Sequence, residues 1–211
     1  MVNIKTERLE ICEFTPNTPL ALFDEKSMSQ VVERVLPLWR AEGMPENFNR
    51  LYVEMIIRTN MHQNQEQFQL SENGELKAIA FCARKTDGKD NSWYNSTWEK
   101  LPQKQKELFS KGRSYLLQMD QKVFSMMNEN DVKLCLFVSL KAGWGSRIFN
   151  ALLSHLKHTA ATPHNLYLWT DGECNVDWYF QNDFELVSQE EYKPFSTEKG
   201  AYMTYIFRKK L

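Results

Sequence analysis

The sequence predicts a mixed α/β fold, a twisted mixed sheet with helices on its faces, and three observations predict it. Residues 131–211 read strand, helix, strand, helix, strand, strand, an order that pairs strands around crossover helices. Asn73-Gly74 sits between two strand-like runs, a strong signal for a hairpin turn. "SRIFNALLSHLKH" places Ile148, Phe149, Leu152, Leu153 and Leu156 on one broad apolar stripe, with Arg147, Asn150, Ser154 and Lys157 opposite, as a helix lying on a sheet requires.

In chain order, "IKTERLEICEF" alternates well enough for a first strand. Residues 27–42 and 46–59 carry helical spacing; in the second, Phe48, Leu51 and Met55 share a face. "EQFQLSENGELKAIAFCARK" is the hairpin. Residues 86–100 are polar and read as a loop anchored by Trp93, Tyr94 and Trp98. Residues 102–127 are helical by the recurrence of Leu108, Tyr115, Met119, Val123 and Met126, and Gly112 marks a candidate break. The segment 86–128 is longer than a minimal connection, so it is expected as an insertion whose aromatics either line a substrate or hold the loop to the core. "DVKLCLFVSL" is apolar on both faces in its later part, as a strand covered on both sides must be. "NLYLWT" is the next strand, "CNVDWYFQND" a short helix, and "FELVSQEEY" and "AYMTYIFRKKL" a closing pair.

Bulk properties narrow the function. The chain has 211 residues, 42% hydrophobic and 25% charged, and a formal net charge of −1, so neither nucleic acid nor an anionic membrane is an expected partner. No apolar run approaches the ~20 residues that span a bilayer, and "MVNIKTERLEICEF" lacks the pattern of a secretory signal, so a cytoplasmic protein is expected. The four cysteines, Cys12, Cys82, Cys135 and Cys174, are scattered without a CxxC pair, which speaks against a disulfide framework or a metal site.

The chemistry concentrates in "VSLKAGWGSRIF". A strand ends, two glycines flank Trp144, and a helix begins. A helix N-terminus offers up to four amides without internal partners and a partial positive charge. Gly143 and Gly145 carry no Cβ, so an anion can approach the backbone, and Lys141 adds a formal charge. Gly-x-Gly between a strand and a helix often serves only tight packing, which on spacing alone is the commoner reading, and the spacing is neither GxGxxG nor a Walker A loop.

Leu140-Lys141-Ala142-Gly143-Trp144-Gly145-Ser146 resembles the Q/R-x-x-G-x-G/A signature of the GNAT superfamily of N-acetyltransferases. "LYLWTDGECNVDWYFQNDFE" resembles its second signature, with Tyr179 five residues before Phe184. The two blocks stand in the family's order across about residues 131–211. Leu140 departs from the usual Gln/Arg, and Asp183 from the usual glycine before Phe184. The resemblance implies one domain over residues 1–211, a mostly antiparallel sheet whose central strands splay apart, and acetyl-CoA as cosubstrate without a metal. Amides from Lys141 to Ser146, Gly143, Trp144 and Gly145 among them, would hold the pyrophosphate. Phe137 and Val138 would pair with the pantetheine arm, and Asn175 would hydrogen-bond it. An amine of a small molecule or protein would attack the thioester directly, and Tyr179 would protonate the leaving thiolate, a role suited to a phenol that is protonated at neutral pH. The alternative within the same fold is a non-catalytic acyl-CoA-binding sensor.

Other side chains are weighed on their chemistry. Asp171 and Glu173 lie beside the expected slot as candidate bases, though acids in a turn are ordinarily just solvated. Cys174 as a nucleophile lacks a histidine near it in sequence. His155 and His158 share a helix edge without further ligands, and exposed β edges would allow a homodimer.

Overall fold

The computed structural model describes residues 20–64, 66–159, 164–198 and 200–211. The expected first strand at residues 4–14, with Cys12, lies outside the described residues.

Seven strands form one sheet: β1 (Ala21–Leu22), β2 (Gln67–Glu72), β3 (Glu75–Arg84), β4 (Val132–Ser139), β5 (Asn165–Asp171), β6 (Glu185–Glu191) and β7 (Met203–Lys210). Their spatial order is β1-β2-β3-β4-β5-β7-β6, and every neighbouring pair is antiparallel except β4 with β5. The hairpin forms at the expected dipeptide, with φ of 53° at Asn73 and 77° at Gly74, as a tight two-residue turn demands.

Helices cover both faces. α1 (Met28–Trp39), α2 (Glu46–Thr59), α3 (Ser92–Lys100) and α4 (Gln103–Met126) precede β4; α5 (Trp144–Thr159) joins β4 to β5, and the short α6 (Val176–Gln181) follows β5. Pro45 and Pro102 stand just before α2 and α4, where a missing amide costs nothing. One face buries Leu134, Leu166, Leu168 and Phe207 under Ile148, Phe149 and Leu152 of α5. The other buries Ile79, Phe81 and Val138 under α1 and α2, and Tyr167 and Ile206 under α4.

Two expectations are corrected. Residues 92–100 form a helix, not a loop. Tyr94 and Trp98 stand four apart, but a single pair among polar neighbours makes no stripe to announce a helix; it is held by packing, with Tyr94 stacked on Phe109 of α4 at 5.3 Å and Trp98 Nε1 donating to Ser110 Oγ at 2.9 Å. Gly112 is no break, for α4 runs through it unbroken. A Cβ there would lie 2.4 Å from the Tyr52 hydroxyl oxygen, so the glycine lets α2 approach α4 closely.

Candidate functional site

The central feature is a divergence. β4 and β5 pair only at Val132↔Leu166 and Lys133↔Tyr167, after which residues 134–139 of β4 have no β5 partner. A bulge accompanies it: Phe81 faces Leu136 while Cys82 faces Leu134, leaving Cys135 as the extra residue. Beyond the bulge Phe137 points to the α5 face and Val138 to the α1 face. Antiparallel pairing to β3 engages only alternate backbone groups, so part of the β4 edge at Phe137 and Val138 faces the opened wedge.

At the far end of β4 the chain turns into α5. The Leu140 amide donates to Lys77 O at 2.8 Å, and the Trp144 amide to Lys141 O at 3.2 Å, closing the bend. Amides of Lys141, Ala142 and Gly143 find no acceptor among the described residues, and those of Gly145 and Ser146 belong to the first helical turn, which has no internal acceptors to offer. Gly143 has a φ of 80°, and nothing lies within 4 Å of where its Cβ would be. Lys141 is exposed and its Nζ is 3.7 Å from Glu72; Ser146 is exposed. The bend is therefore exposed and carries unengaged donors, a combination that fits an anion.

The two glycines differ in purpose. A Cβ on Gly145 would come 3.2 Å from Ser139 Cβ and 3.6 Å from Phe137 Cζ, so this glycine lets the helix seat against the strand. Trp144, placed among the cofactor contacts by the sequence, has its side chain buried in the core with Ile148 and Phe149 and its amide engaged in the turn.

α6 stands across the wedge. Asn175 caps it, its Oδ1 accepting from the Trp178 amide at 3.3 Å, so the capping oxygen is engaged and the side chain is otherwise exposed. Trp178 packs on Phe137 at 5.3 Å and Phe149 at 5.1 Å. Tyr179 is half-buried, stacked on Phe207 at 5.3 Å and edge-on to Phe184 at 5.7 Å. Burial raises its phenol well above the usual tyrosine range, the neighbouring Cys174 adds to this, and the Thr170 side chain beside it opposes it only in part. The hydroxyl is thus a proton donor at any physiological pH. Asp183, in the glycine's usual place, adopts the left-handed backbone, φ 57°, that the glycine would supply.

The remaining candidates divide by face. Burial pushes Cys135 up to about 11 and raises Cys174, so neither is a ready thiolate. His158 Nδ1 lies 2.6 Å from Ser154 O and His155 packs on Phe68. Among the described residues no group of three His, Cys, Asp or Glu side chains could hold a metal. Glu173 is exposed, but Asp171 accepts the Tyr202 hydroxyl at 2.7 Å.

Two constellations were not anticipated. Tyr115, Trp169, Tyr192, Phe195 and Tyr202 form an aromatic cluster centred on Tyr115, whose ring centroid lies 4.7–6.0 Å from the other four, and Tyr202 and Tyr115 of this cluster reach Asp171. Asp120 on α4 is buried and binds Lys133, Lys89 (2.8 Å) and the Trp169 indole (3.0 Å). Burial opposes its ionisation, but the charges of Lys133 and Lys89 outweigh burial and hold its carboxyl down at about 2. Lys89 also lines a cavity of about 230 Å³ between α2, α3 and α4, shared with Arg58, His62, Trp93, Tyr94 and Arg113. The alternation in "LYLWTD", which puts Trp169 and Asp171 on one face, was the available signal for the first constellation; nothing local links residues 89, 120 and 133.

A scan against protein-family models finds no match, and a search of curated proteins finds none. Solved structures do resemble the chain. The ribosomal-protein-S18-alanine N-acetyltransferase of Escherichia coli aligns over 90% of this chain and 92% of its own, at 13% identity and a TM-score of 0.51. An N-acetyltransferase from Staphylococcus aureus Mu50 aligns over 90% and 99%, at 14% identity and 0.51. The C-terminal condensation domain of Ebony, solved with beta-alanyl-dopamine, aligns over 91% and 98%, at 6% identity and 0.60. The fold is that of the GNAT N-acetyltransferases.

Proposed function

We propose that the chain is a GNAT superfamily N-acetyltransferase that moves the acetyl group of acetyl-CoA directly onto an amine of a small molecule or protein. The observation that carries this reading is the divergence of β4 from β5 after two paired positions, with a bend of unengaged amides at the far end of β4. A thioester arm needs a backbone edge to lie along and a diphosphate needs donors at its end; the two features are adjacent on one strand.

In this reading the amides of Lys141–Gly143, Gly145 and Ser146 hold the pyrophosphate, assisted by the Lys141 ammonium. The β4 edge at Phe137 and Val138 receives the pantetheine, and the Asn175 side-chain amide, whose NH₂ the cap does not use, donates to it. Tyr179 donates its phenolic proton to the thiolate that leaves, and the neutral phenol favoured by burial supports that assignment. The whole chain acts as one domain, with residues 86–128 as an insertion that packs over one face of the sheet. No helix among the described residues is long and apolar enough to cross a membrane; a cytoplasmic location is part of this proposal.

Leu140 favours a second reading, an acyl-CoA-binding module without turnover. Where a Gln or Arg would add a donor, Leu140 is partly buried against the α1 face. Calorimetry with acetyl-CoA against ADP tests the common premise: acetyl-CoA binding tighter than ADP is expected, and equal affinities would refute the site. Thiol release on incubation with a panel of amines then separates enzyme from sensor.

A further inference from the structure

The proposed reaction requires a group to receive the acceptor amine, and the end of β5 presents one. Asp171 is the last residue of that strand. Strand alternation puts it with Tyr167 and Trp169 on the α4 face, opposite Thr170, the residue beside which Tyr179 lies on the α6 face. The carboxylate is half-buried and fixed: Oδ2 accepts the Tyr202 hydroxyl at 2.7 Å and Oδ1 the Glu173 amide at 3.2 Å. The titratable groups facing it are Tyr115 from α4, Tyr202 from the segment before β7, Cys174 from the turn after β5, and Tyr179 from α6. None is a cation, and among the described residues no Lys, Arg or His nitrogen lies within 4.0 Å of the carboxylate. Burial, then the Asp171 charge, raises the hydroxyls of Tyr202 and Tyr115, so both remain protonated and Tyr202 remains a donor. A fixed anion beside the rings of Tyr202 and Tyr115, without a cation of its own among the described residues, is a receptor for one.

We propose that Asp171, oriented by Tyr202, binds and deprotonates the acceptor of the acetyltransferase reaction, and that this acceptor is a cationic amine on an apolar body. The inference rests on the acetyltransferase reading for its chemistry, though not for its binding. The ammonium donates to Asp171 and passes it one proton, which leaves to solvent. The freed nitrogen lone pair forms the C–N bond at the thioester carbonyl. The C–S bond then breaks with its electron pair going to sulfur, which takes the proton of Tyr179. The second proton lost by nitrogen restores the phenol. Amide, free thiol and one released proton balance the ammonium and thioester consumed. The partly exposed faces of Trp169, Tyr192, Phe195 and Tyr202 take the apolar body; an acceptor bearing its own carboxylate near the amine is repelled by Asp171.

The test is calorimetric titration of the full chain, with and without CoA, using phenethylammonium and its neutral isostere phenethyl alcohol. Wild type is expected to bind the amine at least about tenfold more tightly than the alcohol, and Asp171→Asn to lose about 10- to 100-fold in amine affinity. CoA affinity and the melting temperature of that variant, controls for folding, stay at the wild-type value. Tyr202→Phe, which keeps the charge but frees the carboxylate, raises the amine KM modestly and lowers kcat more. An Asp171→Asn protein that binds the amine as wild type does, or a wild type that binds neither probe or prefers the alcohol, overturns the proposal. Asp171-dependent amine binding without thiol release from acetyl-CoA would leave this site standing and refute the acetyltransferase reading instead.

Discussion

Phe137 on β4 and Trp178 on α6 meet with ring centroids 5.3 Å apart, joining the two halves of the sheet on one face where β4 and β5 no longer pair. Hydrogen bonding has stopped there, so side-chain packing sets the width of the wedge. Trp178→Ala should cost about 2–4 kcal/mol, a large aromatic lost from a partly buried site. Urea melts would measure it. Trp178→Phe, retaining ring contact with Phe149, should recover most of the loss.

The two glycines of the bend should separate in mutagenesis. Gly143→Ala meets no atom but forces an alanine to a φ of 80°, costing about 1 kcal/mol. Gly145→Val meets Ser139 and Phe137 and should cost more than about 1 kcal/mol by overpacking. Ser139→Gly should partly rescue Gly145→Ala and do nothing for Gly143→Ala. Thermal melts of the single variants and of the two double variants check this directly.

Tyr179→Phe removes the proposed proton donor while keeping the stack on Phe207. Turnover should fall by about 10²- to 10⁴-fold with acetyl-CoA affinity little changed. Steady-state kinetics beside calorimetry decide it; wild-type turnover in the variant would remove the acid role.

Acid should destabilise the protein earlier than its carboxylates alone would. Burial, then the charges of Lys89 and Lys133, lowers His62 from 6.5 to about 4. Between those values the unfolded chain binds a proton that the folded chain refuses, so stability is full above the unfolded value and declines as pH falls toward 4. The loss between pH 7 and pH 5 should be about 2 kcal/mol. Asp120, held at about 2 against an ordinary 3.8, withdraws its contribution only below that window. His62→Asn should flatten the slope between pH 7 and 5, as urea melts at the two values would record.

Asp183 occupies the left-handed region at φ 57° with an almost fully exposed side chain, 3.6 Å from Lys209. Asp183→Gly should gain up to about 1 kcal/mol, since relief of backbone strain exceeds an exposed ion pair. Differential scanning calorimetry would show the rise in melting temperature.

The strands from β2 to β7 and most helices were legible because their signals are local, whereas β1 at Ala21–Leu22 was not anticipated. The Asn73-Gly74 turn, the stripe of α5 and the alternation in "NLYLWT" each depend on neighbours in sequence. The bend after β4 was legible for the same reason. What escaped was set by distant partners. α3 exists because Phe109 and Ser110 hold its rings, and Gly112 is explained by Tyr52, sixty positions earlier in the chain. Trp144 between two glycines looks the same in sequence whether it covers a ligand or fills a core. Asp171 read as an ordinary solvated acid because Tyr202 and Tyr115 reach it from other elements.

β5 is bonded to β7 along its whole length, from Asn165↔Lys210 to Asp171↔Thr204. Its consecutive residues Thr170 and Asp171 deliver hydroxyl and carboxylate to opposite compartments. A slip of a single position would exchange their sides, handing the proposed thiol compartment an anion and the proposed amine compartment an alcohol. The zipper to β7 therefore acts as the molecule's alignment key: in the proposed reaction it keeps the acid's side and the base's side from trading places.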